Sequence, residues 1–163
     1  MENGAPTPFT TASAASTTTV NFRPGLDRFR DLVVYQKATQ VAQTIFDLTR
    51  SFPPEEKYSL TSQIRRSSRS VGAQIAEAWG KRRYEKHFVS KLTDADAERL
   101  ETEHWVVTAK TTKYLSHTNA TQLLQDLEEI GKMLRSMMDK SSSFCREPNL
   151  EYDRDHVDDE FFS

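Results

Sequence analysis

Two stretches of this chain space their apolar residues at alternating intervals of three and four, and that periodicity leaves little choice of fold. Leu60, Ile64, Ser67, Val71, Ile75 and Ala78 follow one another at steps of 4, 3, 4, 4 and 3. Leu123, Leu127, Ile130, Leu134 and Met137 do so at 4, 3, 4 and 3. An α-helix turns once in about 3.6 residues, so each set falls on one side of a helix. A near-heptad seam of this kind buries itself against other helices that cross at a small angle.

The rest of the middle of the chain supplies those other helices. A first helix is predicted after Pro24-Gly25, with Asp27 as its N-cap, and places Leu32, Ala38, Ala42, Ile45 and Leu48 near one face. It ends at Phe52-Pro53-Pro54, where the second opens, because proline and the acids Glu55 and Glu56 suit a first turn. Gly80 closes the second. A third runs from about Tyr84 to Leu115, with Phe88, Leu92, Ala95, Val106 and Ala109 interrupted by charged residues. Ser116 to Asn119 is a polar break with Asn119 as a cap candidate, and the fourth helix follows. Connections of a few residues make consecutive helices antiparallel neighbours, so the expected fold is an all-α, up-down-up-down four-helix bundle over residues 27–146.

Composition excludes the main alternatives. With 5 Gly and 6 Pro in 163 residues the chain lacks the turns of a strand-rich protein. It holds no apolar run near the roughly 18 residues of a membrane span. The single cysteine, Cys145, cannot form an internal disulfide or a cysteine-based zinc site, and a cytoplasmic location is the expectation. Residues 1–26, rich in Ser, Thr and Ala, are read as a disordered arm, since they cannot bury enough apolar area to offset ordering. Residues 147–163 carry seven acids against Arg154 and are read as an acidic tail of net charge −6. Because Glu2 and Arg23 cancel, a chain of net charge −2 conceals a body, residues 27–146, of charge +4.

Within that body a set of spaced elements resembles a known family. They are Phe29-Arg30-Asp31-Leu32-Val33-Val34-Tyr35-Gln36-Lys37-Ala38, then Phe52-Pro53 with Glu56, Tyr58, Leu60, Gln63, Arg65 and Arg66, then Ser70-Val71, Ile75-Ala76-Glu77 and Gly80-Lys81-Arg82. Together they resemble the four helix bundle protein family, also called the 23S ribosomal RNA intervening-sequence protein family, which is similar to the accessory variability protein of diversity-generating retroelements. Gln74 stands where that family usually has Asn, and Ala78 where it usually has Gly. The resemblance implies a ring-shaped homo-oligomer, most often a pentamer. For the retroelement branch it implies association with RNA or a reverse transcriptase. It implies no established enzymatic activity.

The residues themselves offer one candidate surface. Between Arg65 and Lys91 the chain carries Arg65, Arg66, Arg69, Lys81, Arg82, Arg83, Lys86 and Lys91 against Glu77 and Glu85, a local charge of +6. Such a cluster about a helix-helix turn suits phosphate contact, and without a stacking aromatic or base-reading motif it would recognise backbone and shape. Arg65, Arg66, Arg69, Lys81, Arg82, Arg83 and Lys86 are the expected nucleic-acid-binding residues. The competing expectation is a solvated surface with ion pairs between subunits. Arg66 and Glu77 lie eleven residues apart on one side of the second helix, too far to pair with each other, and each needs a partner elsewhere. With Trp105 they are candidates for a subunit interface or an ion-pair network.

Other chemistry finds little support. Glu101-x-x-His104 has the spacing of di-iron bundles, but those need a second copy, and His87, His117 and His156 have no Glu three residues earlier. No metal or other cofactor is expected. Cys145 has no neighbouring His, and no phosphate-cradling Gly-rich loop or nucleophile elbow is present. Trp79, Trp105, Tyr35 and Tyr58 are expected as core or interface anchors. The sequence therefore points to a non-enzymatic scaffold or adaptor that binds nucleic acid, with a protein-protein interaction module as the alternative, and no small-molecule substrate.

Overall fold

The computed structural model describes residues 28–145; the arm 1–26 and the acidic tail 147–163 lie outside the described residues. The described part is an antiparallel four-helix bundle of α1 (Val33–Leu48), α2 (Leu60–Gly80), α3 (Glu85–Thr111) and α4 (His117–Asp139). Each helix packs on its two neighbours in chain order, α1 closes the ring against α4, and α2 against α3 is the most extensive pairing. Among the described residues no helix is long and apolar enough to cross a membrane.

The two seams do what their spacing requires. Leu60, Ile64, Ser67, Val71, Ile75 and Ala78 of α2 are all buried, as are Leu123, Leu127, Ile130, Leu134 and Met137 of α4. Full burial of an aliphatic side chain contributes roughly 1.5–3 kcal/mol, so these rows dominate the stability of the bundle. Ser67 keeps its place in the apolar row because a partner meets it there. Thr102 of α3, also fully buried, donates to Ser67 Oγ at 2.9 Å and is itself 2.8 Å from the Glu98 carbonyl.

The helix ends depart from expectation in three places. α1 begins at Val33, not directly after Asp27, because Phe29–Asp31 forms a 3-10 turn and Leu32 is extended. The fold-back is fixed by the Phe29 ring edge-on to Tyr35 at 4.9 Å and by the Gln36 amide donating to the Arg30 carbonyl at 3.0 Å. As a result α1 buries Val34, Ala38, Val41 and Ile45, while Ala42 and Leu48 are only half-buried. α2 starts at Leu60 rather than at the prolines, which sit in a separate 3-10 turn, Pro54–Glu56. From that turn the Glu56 carboxylate accepts from the Leu60 N–H at 3.3 Å and from the Ser59 hydroxyl. α4 is capped by Ser116, whose hydroxyl oxygen accepts from the Asn119 N–H at 3.1 Å, so Asn119 is the donor and not the cap.

α3 carries two rows of regularly spaced side chains, one inside and one outside. Its inner row is Phe88, Leu92, Ala95, Arg99, Thr102, Val106 and Ala109, all buried, at steps of 4, 3, 4, 3, 4 and 3. Arg99 is only 5% exposed; its Nε donates to Asp96 at 2.6 Å and its Nη1 to Glu103 at 2.9 Å. The guanidinium lies across α4 at Gly131, where a Cβ would come within 2.9 Å of Arg99 Nε. A second row runs along the opposite side of α3. Thr93, Ala97, Leu100, His104, Val107 and Thr111 repeat at 4, 3, 4, 3 and 4 and are all exposed, Leu100 to 52% and Val107 to 46%.

Candidate nucleic-acid interface

The basic residues of α2 fall into two surroundings. On the side facing α1, Arg65 donates from Nε to Thr49 Oγ1 at 2.7 Å, and its guanidinium stands 4.7 Å from the centre of the Phe46 ring. Arg69, one turn on, lies 5.4 Å from the same ring. Phe46 is thus a platform for two cations, of which Arg69 is exposed and Arg65 half-buried. On the side facing α3, Arg66 donates from Nη2 to Glu101 at 2.7 Å and lies 3.9 Å from Glu98.

The turn between α2 and α3 carries the second basic group. Arg82 lies 4.1 Å over the Trp79 ring and donates from Nη1 to the Trp79 carbonyl at 3.0 Å. Arg83 sits 5.6 Å from the centre of Tyr84, and Lys81 and Lys86 are exposed. Arg69 and Lys81 are twelve residues apart, about 18 Å along the axis, so the cluster of the sequence is two patches at different heights on the bundle. Lys91, by contrast, is tied down: its ammonium lies 2.9 Å from Glu77, 3.3 Å from Asp94 and 3.2 Å from Gln74 Oε1. The Glu77 carboxylate first, and Asp94 second, raise its pKa.

Arg66 and Glu77 therefore each find a partner within the chain, on α3, and not each other. Trp105 joins the same constellation, because its indole N–H donates to the Glu101 oxygen that also holds Arg66, at 3.2 Å. That engagement uses the carboxylate of the Glu101-x-x-His104 pair, while His104 packs edge-on to Trp105 at 4.8 Å. Among the described residues no group of three metal-ligating side chains converges. Burial, and secondarily Glu85, pushes the Cys145 thiol up.

Of the four aromatics expected as core or interface anchors, Tyr58 stands outside the core. Trp79 is buried and Tyr35 and Trp105 are half-buried, but Tyr58 is 82% exposed. It stands at the entry to α2, with Lys57 Nζ 5.1 Å from its ring centre, and lines one groove with Arg65, Arg66 and Arg69. An aromatic platform does accompany the basic residues. Helical spacing did not reveal this, because Tyr58 lies in the turn before α2, beyond the non-helical Ser59, and reaches the groove by the path of that turn.

The comparisons with known proteins agree with this architecture. Residues 30–136, which contain every basic residue of both patches, match the family model described as 23S rRNA-intervening sequence protein. The chain belongs to that family. Among solved structures, this 23S rRNA-intervening sequence family member is similar to a protein of unknown function from the S23 ribosomal protein family of Bacteroides thetaiotaomicron. The two are 32% identical with a TM-score of 0.60, over 66% of this chain and 96% of that one. No curated protein matches the sequence significantly.

Proposed function

We propose that this protein is a non-enzymatic, homo-oligomeric scaffold of the cytoplasm that binds nucleic acid, structured RNA or an RNA-protein complex, through the basic face of α2 and the α2–α3 turn. One observation carries the proposal. Arg65, Arg69, Arg82 and Arg83 each stand over an aromatic ring, and among the described residues none of them pairs with a carboxylate. Guanidinium groups held in this way keep their charge uncancelled, and the donors not engaged by Thr49 or the Trp79 carbonyl are what a phosphate backbone recruits. Lys81 and Lys86 extend the face, and Arg66 joins it when Glu101 releases it. Membership of a family named for the intervening sequence of 23S rRNA is consistent with an RNA partner.

The oligomer is supported by the outer row of α3. A heptad-spaced stripe with exposed Leu100 and Val107 is suited to bury against a second copy, and the resemblance to ring-forming relatives favours five. The same stripe supports a second reading, in which the chain is a protein-protein interaction module with no RNA role.

Fluorescence anisotropy of the full chain with a structured RNA and with a DNA duplex, across a salt series, separates the two. Phosphate contact requires the logarithm of affinity to fall linearly with the logarithm of salt. Arg82→Ala with Arg83→Ala is expected to flatten that slope by about 2, roughly one per cation removed. No binding near 50 mM salt would transfer the protein to the second reading. A light-scattering mass equal to the monomer would remove the oligomer from both.

A further inference from the structure

The groove between Tyr58 and Arg69 has a composition that a purely structural surface does not require. Its volume is about 640 Å³, within the range of sites that take small ligands, and it lies open along the first three turns of α2. At one end is the Tyr58 ring, 82% exposed, with the Lys57 ammonium against it. Along the wall come Arg65 and Arg69, one helical turn apart and both fixed over Phe46. Thr61 also lines it, with its hydroxyl buried. Beside the two guanidinium groups, an exposed ring with Lys57 over one face suits a flat, anionic group stacked on the other.

We propose that this groove is a subsite for unpaired nucleotides of single-stranded RNA, the base stacking on Tyr58 and the adjoining phosphates meeting Arg65 and Arg69. The inference rests on the RNA-binding function proposed above and narrows its ligand from structured RNA in general to its unpaired segments. A base can stack on a protein ring only when its own faces are free. An A-form duplex offers backbone and a shallow minor groove instead, and would leave Tyr58 unused. Rings that stack bases beside cations that track the backbone are the usual means of holding single strands. The rings of the other basic patch are less accessible, Trp79 being buried and Tyr84 50% exposed against 82% for Tyr58.

The two contributions respond differently to salt, which makes them separable. Stacking releases no counterions, whereas each phosphate contact does. Affinities of the full chain for a fluorescein-labelled 12-nucleotide oligoadenylate and for a blunt 12-base-pair RNA duplex would be measured from low to moderate salt. Tyr58→Ala is expected to weaken single-strand binding by about 5- to 100-fold at every salt concentration with an unchanged slope. It should leave the duplex affinity alone, and Tyr58→Phe should restore single-strand binding. Arg69→Ala should instead flatten the slope by about 1. Tyr58 is at the surface, so its removal spares the fold, which circular dichroism would verify.

Three results would overturn the inference. If Tyr58→Ala changes neither affinity, or both equally, the ring is not a stacking platform, although the RNA-binding face stands. If the wild type binds the duplex but not the single strand, the same conclusion follows. If it binds neither near 50 mM salt, the proposed function fails and this subsite with it.

Discussion

The two flanks of α2 carry the same residue type to opposite ends. Toward α3, Arg66 is spent on Glu101 and Glu98, and Glu77 on Lys91. Toward α1, Arg65 and Arg69 share the Phe46 ring and have no carboxylate partner among the described residues. A carboxylate cancels a cation's field and occupies its donors. A ring fixes a cation's position but cancels nothing. One flank is thereby an adhesive between helices, and the other remains a positive surface to anything approaching from outside.

That contrast is strongest at the buried end of the paired class. Arg99→Ala strands Asp96 and Glu103 and opens a void over Gly131, and should cost about 2–4 kcal/mol in chemical denaturation. Gly131→Ala alone must push the guanidinium aside, so it should destabilise despite the helix-favouring alanine. In the Arg99→Ala background the same change should stabilise, and a double-mutant cycle would measure the coupling. An additive cycle would mean that the guanidinium and the glycine are independent.

The ring-held class should behave in the opposite way. Phe46→Ala is expected to cost about 1–3 kcal/mol of stability, since the ring is half-buried, and to weaken RNA binding with it because Arg65 and Arg69 lose their platform. Equal RNA affinity in the variant would show that the ring does not organise the cations. Glu101→Gln sharpens the comparison further. The Arg66–Glu101 pair is partly exposed, so the stability loss should stay under about 1 kcal/mol. Releasing Arg66 should nonetheless raise RNA affinity and steepen its salt dependence.

The smallest effects lie in pH. Lys91, its pKa raised by Glu77 and Asp94, contributes fully below its unfolded value and loses that contribution as pH climbs through the higher folded one. Glu56 is the reverse case, its carboxyl held low by the Ser59 hydroxyl, then by the Leu60 N–H. Its contribution is complete above the unfolded value and is lost as pH falls through the folded one. Thermal melts across pH should therefore flatten on the alkaline side in Lys91→Met and on the acid side in Glu56→Gln.

How much of this could be seen in the sequence follows from the range of each interaction. The seams of α2 and α4 were visible because burial imposes a period on consecutive residues. α3 was blurred because it carries two apolar rows, an inner one broken by Arg99 and Thr102 and an outer one at Leu100 and Val107, and opposite rows erase each other's signature. Local propensity places the start of α1 too early because Leu32 is buried and Phe29 packs on Tyr35 by a fold-back that it does not encode. Every basic residue of the candidate site was legible by type. Which of them α3 would neutralise was not, because Glu101 reaches Arg66 across thirty-five positions of chain. Nor could composition reveal that Tyr58 would be left outside the core.

Arg99 and Gly131 have a consequence for how the chain finds its alignment. The seam of α4 repeats every seven residues, and apolar rows alone would fit α3 nearly as well after a slip of one repeat. Such a slip would bring Leu124 or Met138 beneath Arg99 in place of Gly131, and neither leaves room for a guanidinium where even one added carbon atom intrudes. The pair works as a key in a single notch, turning a periodic and therefore ambiguous contact into one with a unique register.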